Sequence, residues 1–195
     1  MSSKAAQPEL VPGGPHTTRI LGIDPGSIVT GWGLVGGSAA RPRWLAAGVI
    51  RLGAARTSLP QRLRRLQESL EALIREQQPT TVAVESSYHG ANARSTLLLA
   101  QARGVVLAAV AGAGVELTEY SPASIKKAVV GHGAASKDQV RYMVAHLLGR
   151  APGAGPHDLS DALAVALCHA GTSRRRGLLV KPGRVRAAAR ELPRG

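Results

Sequence analysis

Four acidic residues stand beside apolar segments, at the ends of predicted strands and at the start of a predicted helix. Asp24 ends the apolar segment "RILGI" just before a Pro-Gly turn, and Glu85 closes the apolar segment "TVAV". Asp158 and Asp161 begin the segment "DLSDALAVAL", and their spacing of three residues places both on one face of a helical turn. The four positions together indicate a shared site.

Carboxylates at adjacent strand ends can converge with a pair of carboxylates on a covering helix. Four like charges gathered in one place would repel one another unless cations neutralised them. Oxygen ligands without a cluster of Cys or His side chains suit Mg²⁺ or Mn²⁺ rather than zinc. Two divalent ions about 3.5–4 Å apart are the arrangement used for in-line hydrolysis of a phosphodiester, and this is the chemistry that the acids predict.

Each acid also has a plainer interpretation. Asp24 fits a turn residue before Pro-Gly, and Asp158 fits an N-cap or a first-turn acid that the helix dipole favours by about 0.3–1 kcal/mol. Glu85 gains little structurally from closing a buried strand, and Asp161 leads directly into the apolar segment "ALAVAL". A shared site explains all four positions at once.

The chain carries a strong positive charge, which predicts a polyanionic partner, most simply a nucleic acid. Its 195 residues have a formal net charge of +13 and an isoelectric point of about 11.3. From Arg174 onward eight basic residues stand against one acid, so +7 lies in this tail and +6 in the body. The body is therefore basic without its tail.

Cysteine content and hydropathy predict where the protein works. The single cysteine, Cys168, excludes an internal disulfide framework, and its apolar surroundings predict a buried, unreactive thiol. The sequence has no unbroken run of about 18 apolar residues and no export leader. We therefore expect a cytoplasmic protein without a membrane segment.

Turn residues and hydrophobic periodicity predict the elements that must position the acids. Short Gly/Pro turns indicate an antiparallel meander at the start, and leucines at spacings of 4, 3, 4 and 3 behind Ser58 predict the first helix. The predicted strands are 19–24, 31–36, 43–52, 81–86 and 115–120, and the predicted helices begin at 59, 91, 122, 137 and 157.

This order of elements is typical of an α/β domain with a mixed sheet. The domain is predicted over residues 19–173. Residues 1–18 are rich in Pro, Gly and Ser and predict a flexible N-terminal extension. Residues 174–195 predict a disordered basic tail that adds sequence-neutral affinity for nucleic acid.

Four blocks of the sequence resemble the RuvC family of bacterial Holliday-junction endonucleases, in the same order and at similar spacing. The blocks are "ILGIDPGSIVTGWGLV", "VAVESSYHGANARSTLLLAQARG", "SIKKAVVGHGAASKDQV" and "HDLSDALAVAL". The resemblance covers nearly all of residues 19–171. It implies a ribonuclease H-like fold, with a mixed five-stranded sheet flanked by helices.

The resemblance also implies an activity and its partners. It implies a divalent-metal-dependent crossover junction endodeoxyribonuclease that resolves Holliday junctions in recombination and DNA repair, by paired symmetric nicks in two strands of like polarity. The expected partners are four-way junction DNA, a second copy of the chain in a homodimer, and the branch-migration proteins RuvA and RuvB. Two Mg²⁺ ions per site are implied, with Mn²⁺ as a substitute, and the catalytic and metal-binding residues are Asp24, Glu85, Asp158 and Asp161.

Further residues match positions that the family uses on DNA. Lys126 and Lys137 match lysines near the scissile phosphate, and Lys137 follows Ser136 in a first helical turn, where free backbone N–H groups favour an anion. Tyr88 takes the place of an aromatic that stacks on bases, an interaction worth about 1–3 kcal/mol. Arg94 is expected along the DNA path. A solvated lysine at a helix start and local packing of the tyrosine are the plainer alternatives.

Two residues keep alternative interpretations open. Arg103, inside an apolar helix, fits either the DNA path or a dimer interface. His157 stands directly before Asp158 and fits either a metal ligand or proton shuttle, or an ordinary residue at a helix start.

Three other functions compete with the nuclease hypothesis. An actin-like kinase or ATPase shares the start "GID.G" but needs a second, duplicated domain, for which 195 residues leave no room. A non-catalytic junction-binding protein would tolerate loss of the four acids, and all four are present. A ribosomal-RNA nuclease on the same fold is not separated by charge, but the block "ESSYHGANARS" favours the junction enzyme.

Overall fold

The computed structural model describes residues 18–38, 40–54, 56–86, 92–149 and 157–179, and in the last range the side chains of residues 159–172. These ranges form five strands and five helices, in the predicted order. The strands are β1 (Arg19–Asp24), β2 (Val29–Ser38), β3 (Arg41–Arg51), β4 (Thr81–Glu85) and β5 (Glu116–Tyr120); the helices are α1 (Leu59–Gln77), α2 (Ala93–Gly112), α3 (Pro122–Val130), α4 (Lys137–Leu147) and α5 (His157–Leu179).

The sheet is mixed, as the sequence predicts, and its strand order is β3-β2-β1-β4-β5. β1, β2 and β3 form an antiparallel meander, whereas β4 runs parallel to β1 and β5 runs parallel to β4. The register pairs Ile23 with Val84, so the carboxyl ends of the two central parallel strands meet at one edge of the sheet. Asp24 and Glu85 are the next residues of these strands.

Helices cover both faces of the sheet. α1 and α2 pack on one face with Leu21, Ile23 and Val84, and α3, α4 and α5 pack on the other face with Ile20 and Ala83. Every side chain of α5 from 162 to 170 is buried, which explains why its sequence is apolar all round rather than on one stripe. Cys168 belongs to this segment, and its predicted burial is confirmed.

The predicted domain boundaries concern α5 and the two termini of the chain. α5 continues to Leu179, so the domain boundary predicted at residue 173 falls inside this helix. The predicted flexible extension, up to residue 17, and the predicted disordered tail, from residue 180, lie outside the described residues.

α2 is the one helix of the described part that is long and apolar enough to cross a membrane, judged by length and composition alone. The sequence of α2 is not an unbroken apolar run, because Arg94 and Arg103 interrupt it. Core helices of globular domains also pass this test, and α2 packs against α1 and β5. Only 22% of its apolar window is buried, however, so α2 presents an apolar face to the outside of the monomer.

The close approach of α5 to the sheet depends on a glycine in β1. A Cβ atom at Gly22 would lie 2.1 Å from the carbonyl oxygen of Ala162 and 2.7 Å from the backbone nitrogen of Ala166. At Gly33, on β2, a Cβ atom would lie 2.7 Å from the side chain of Leu163. The absence of two side chains therefore sets the depth at which α5 lies on the sheet.

Gly22→Ala is expected to lower the free energy of unfolding by about 1–3 kcal/mol, because the added methyl group meets helix backbone that cannot rotate away. Thermal unfolding followed by circular dichroism measures the loss. Gly171→Ala, in α5 itself, is the matched control, because its Cβ contacts no other element; it is expected to be neutral or stabilising by up to about 1 kcal/mol. Equal stability of the two variants would contradict the packing described here.

Candidate active site

A cleft of about 350 Å³ opens at the carboxyl ends of β1 and β4. Three of the four predicted acids line it, from three different elements: Asp24, Glu85 and Asp161. Both lysines expected near the scissile phosphate line it as well. The remaining lining residues are Pro25, Leu99, Pro122, Ile125, Val140 and Ala164. Residues far apart in the sequence therefore meet in one place, with the charges that the sequence analysis assigned to a hydrolytic site.

Strand alternation explains why the acids face this cleft. Side chains two residues apart point to the same face of a strand, so Asp24 shares the face of Gly22, against which α5 packs. Glu85 shares in the same way the face of Ala83, which belongs to the core under α5. Asp161 immediately precedes the α5 residues that touch β1. The helix that closes this half of the core thus carries the third carboxylate to the strand ends.

The turn after Asp24 is held by hydrogen bonds and by a glycine. A Cβ atom at Gly26 would lie 1.9 Å from the carbonyl oxygen of Val29, so a side chain has no room there. The hydroxyl of Thr30, which is fully buried, accepts from the Gly26 N–H at 3.2 Å and contacts the Gly26 carbonyl oxygen at 3.3 Å. Beyond the turn, the backbone N–H of Leu52 donates to the carbonyl oxygen of Ile28 at 2.9 Å. Asp24 therefore precedes a rigid turn, not a loop tip.

Thr30 was not among the residues that the sequence predicts for this site. A threonine at the start of an apolar strand has no feature that distinguishes it from other strand threonines. Only the fold shows that its hydroxyl lies within hydrogen-bond distance of both polar groups of Gly26.

Two helix starts bring the lysines to the cleft. α3 begins after Ser121, whose hydroxyl accepts from the Ser124 N–H, and Lys126 lies half-buried on it. α4 begins with Lys137, and a capping box formed by Ser136 and Gln139 closes this first turn of the helix. Lys127, the neighbour of Lys126, is exposed and does not line the cleft.

The ion pair inside the cleft is loose. The Nζ atom of Lys137 lies 3.8 Å from Oδ2 of Asp161, and the lysine side chain is 82% exposed against 26% for the aspartate. Pairs of this kind contribute little to stability, because water screens the lysine. Lys137 therefore remains able to interact with an anion that enters the cleft.

The oxygen donors of the cleft fit a hard divalent cation. Its described lining offers carboxylates and no thiol or imidazole, which is the donor chemistry of Mg²⁺ and Mn²⁺ sites. Among the described side chains no group of three Asp, Glu, His or Cys residues is close enough to hold a metal ion. The fourth predicted acid, Asp158, lies in the first turn of α5 by its backbone, and its side chain is outside the described set.

The other predicted residues divide into three groups. Tyr88 lies outside the described residues, and only the backbone of His157 is described, at the start of α5. Arg94 is exposed near the start of α2 and does not line the cleft. Arg103 forms a two-pronged ion pair with Glu119, with Nε–Oε1 at 2.6 Å and Nη2–Oε2 at 2.7 Å. This pair ties α2 to β5, a role that neither interpretation of Arg103 predicted.

Comparisons with known proteins point to one family. The profile of the family described as "Crossover junction endodeoxyribonuclease RuvC" matches residues 20–169. A relative of that name from Gluconacetobacter diazotrophicus is 51% identical over 154 residues, which are 78% of this chain and 89% of the relative. A relative of the same name from Syntrophomonas wolfei is 43% identical over 151 residues, 77% of this chain and 87% of the relative.

Solved structures give the same result. The structure described as "T. thermophilus RuvC in complex with Holliday junction substrate" superposes with a TM-score of 0.76 at 32% identity, covering 82% of this chain and 96% of the other. The yeast mitochondrial Holliday junction resolvase Ydc2 superposes with a TM-score of 0.63 at 14% identity, covering 83% of this chain and 81% of the other, which is a likeness of fold. The predicted ribonuclease H-like fold is confirmed, and this chain belongs to the RuvC family of crossover junction endodeoxyribonucleases.

Proposed function

We propose that this chain resolves Holliday junctions, as a structure-selective endonuclease that nicks two DNA strands of like polarity in recombination and repair. The observation that carries the proposal is the cleft where Asp24, Glu85 and Asp161 meet Lys126 and Lys137, in a chain of the RuvC family. A cleft with acids on one side and lysines on the other suits a phosphodiester whose hydrolysis needs metal ions and neutralisation of the phosphate charge. The formal charge of +13 favours a nucleic-acid substrate.

The four acids are proposed as the metal ligands. Asp24 and Glu85 approach from the sheet, and Asp158 and Asp161 approach from the first turn of α5. We propose Mg²⁺, two ions per site, with Mn²⁺ as a substitute; when bound, such ions activate water and stabilise the leaving oxygen of an in-line displacement. The rigid turn after Asp24 and the buried helix behind Asp161 keep these ligands from relaxing apart.

The lysines are proposed to hold the scissile phosphate. Lys126 reaches the cleft from α3, and Lys137 reaches it from the first turn of α4, where backbone N–H groups add to the positive potential. Both would strengthen their hold as negative charge develops on the phosphate oxygens. Tyr88 and Arg94 remain proposed DNA contacts outside the cleft, on the resemblance to the family.

Asp161→Asn and Asp24→Asn are each expected to slow cleavage of a synthetic four-way junction by at least about 100-fold, since each removes a charged ligand at the site of charge development. Junction binding should persist, because the substitution removes negative charge beside DNA. The measurement is cleavage of an end-labelled junction, with and without Mg²⁺, beside a gel-shift titration. Asp138→Asn is the matched control, an acid in the first turn of α4 that does not line the cleft. Undiminished paired cuts in either cleft variant, or cuts by the natural chain without divalent metal, would contradict the proposal.

Lys126→Met is expected to lower the single-turnover cleavage rate by about 10- to 100-fold at saturating protein, because it removes a donor aimed at the phosphate. Lys127→Met, at the neighbouring position, keeps the same change of net charge outside the cleft. It should weaken junction binding at most slightly, with a smaller salt dependence and an unchanged cleavage rate. Equal loss of rate in both variants would show that overall charge, not the cleft, is responsible.

A homodimer is proposed as the working unit, and α2 supports it. From Leu97 to Ala111 the exposed positions of α2 recur at spacings of 3, 4, 4 and 3, so they share one face of the helix. They are small or apolar: Leu97, Ala100, Gly104, Ala108 and Ala111. Leu97 is 60% exposed in the monomer. A second copy of the chain would cover this face, and a two-fold dimer would present two clefts to the two-fold symmetry of a junction.

Leu97→Glu is expected to convert the dimer into monomers, because it places a charge in a face that association would dehydrate. Sedimentation velocity gives the oligomeric state, and a junction assay shows whether paired cuts become single nicks. Leu147→Glu is the control, since Leu147 is 39% exposed on α4, across the sheet from α2. A Leu97→Glu protein that sediments like the natural chain would overturn the assignment of this face.

The remaining expectations complete the proposal. The branch-migration proteins RuvA and RuvB are proposed partners, on the resemblance to the family. The cytoplasm is the proposed location, which fits a chain whose one cysteine is a buried free thiol.

A further inference from the structure

We propose that Arg62 is a positioning residue for the reaction, which fixes Asp24 by holding the turn that follows it. Arg62 lies in the first turn of α1, and its side chain is buried, with the residue 8% exposed. Its Nη1 atom donates to the carbonyl oxygen of Ser27 at 2.8 Å, across 35 positions of sequence. The inference rests on the proposed role of Asp24 as a metal ligand.

The location of Arg62 is unfavourable for a cation. Position 62 lies one helical turn before Leu66, on the face of α1 that packs into the core, where an apolar side chain would fit. Burial of a guanidinium costs free energy unless acids or several acceptors compensate it. Among the described residues Arg62 has no ion pair, and its buried Nε atom has no hydrogen-bond partner. Stability alone therefore does not explain an arginine here.

The hydrogen bond to Ser27 explains why an arginine is present at position 62. Hydrogen bonds join Gly26 to Thr30 of β2 and Ile28 to Leu52. Ser27 lies between these two residues of the turn, and its carbonyl accepts from Arg62. Arg62 provides the link from this group to α1, on the face of the sheet opposite the cleft. The turn is thereby tied to β2, to the end of β3 and to the first turn of α1.

Asp24 depends on that turn for its position. β1 ends at Asp24, so its carboxylate is fixed on one side by the sheet and on the other side by the residues that follow. Loss of the bond to Ser27 would let the segment 25–28 move, and a displacement of about 1 Å in a catalytic group lowers rates by about 100-fold. Arg62 does not line the cleft, so it acts through the turn and not on the substrate.

The test compares Arg62→Met, Arg62→Lys and Leu70→Ala in the full chain. Arg62→Met keeps the apolar stem and removes the donor, Arg62→Lys keeps a donor and the charge, and Leu70→Ala destabilises the same helix two turns further on. Three quantities are measured below the unfolding temperature of each variant: Mn²⁺ affinity by calorimetry without DNA, single-turnover junction cleavage, and hydrogen exchange of the peptide that covers residues 24–30.

Arg62→Met is expected to weaken Mn²⁺ binding at least fivefold, to slow cleavage at least tenfold and to speed exchange in the 24–30 peptide, with junction affinity within twofold of the natural chain. Arg62→Lys should recover most of the Mn²⁺ affinity. Leu70→Ala should lower the melting temperature at least as much and leave metal affinity and cleavage within twofold. Mn²⁺ affinity and cleavage within twofold of the natural chain in a folded Arg62→Met protein would overturn the inference.

Two further outcomes are decisive. If Arg62→Met does not fold, Arg62→Leu takes its place, because it also removes the donor and fits the apolar face of α1: faster exchange in its 24–30 peptide than in that of Leu70→Ala supports the inference, and equal exchange overturns it. The Asp24→Asn variant separates the inference from the proposed function. Loss of cleavage in Asp24→Asn with none in Arg62→Met rejects the role of Arg62 alone, whereas cleavage that survives Asp24→Asn rejects the metal-binding role from which the inference starts.

Discussion

The contact between the backbone of α5 and β1 is the constraint on which the rest of the structure depends. Gly22 lets the carbonyl of Ala162 approach the strand to a distance that excludes any side chain. Two residues further along β1 stands Asp24, and one residue earlier on α5 stands Asp161. This close helix–sheet contact is therefore adjacent to the acids, so their spacing inherits the rigidity of a close-packed interior.

Because α5 packs on one face of the sheet, the two faces carry different kinds of residues. The face under α5 carries every described residue of the cleft that bears a charge, because strand alternation sends Asp24 and Glu85 to that side. The opposite face is filled by leucines and valines from α1, α2 and the sheet. Arg62 is the one charged side chain among the buried polar residues of the described ranges, and its bond to Ser27 links the opposite face to the turn beside the cleft.

Two ion pairs of the domain show how exposure decides what a charged residue does. Arg103 and Glu119 are 20% and 31% exposed and form two short, parallel hydrogen bonds, which suits a permanent link between α2 and β5. Lys137 is 82% exposed and lies 3.8 Å from Asp161, which suits a cation that exchanges partners when DNA enters. Residue type alone would not distinguish the two cations, since both are basic residues on helices and lie within the sequence blocks that resemble the family.

Local sequence patterns predicted the order of all ten described elements, the approximate bounds of the strands, the starts of the helices, the mixed sheet, and three acids and two lysines that the structure brings together. These follow from local signals, because hydrophobic periodicity, turn residues and caps act over a few positions of chain. The acids of the cleft could be predicted from the sequence for a second reason. Acids in apolar segments cost free energy, so their presence indicates a chemical role.

The folded structure, and not any local pattern, shows which distant groups touch. It placed β4 beside β1, paired Arg103 with Glu119 where the sequence left two other roles open, and continued α5 to Leu179, past the domain boundary predicted at residue 173. It also assigned Thr30 and Arg62 to the turn after Asp24, where a strand threonine and an arginine beside a leucine stripe carried no signal. Such contacts depend on how helices and strands pack across the sheet, and a pattern confined to one segment does not contain the position of its partner.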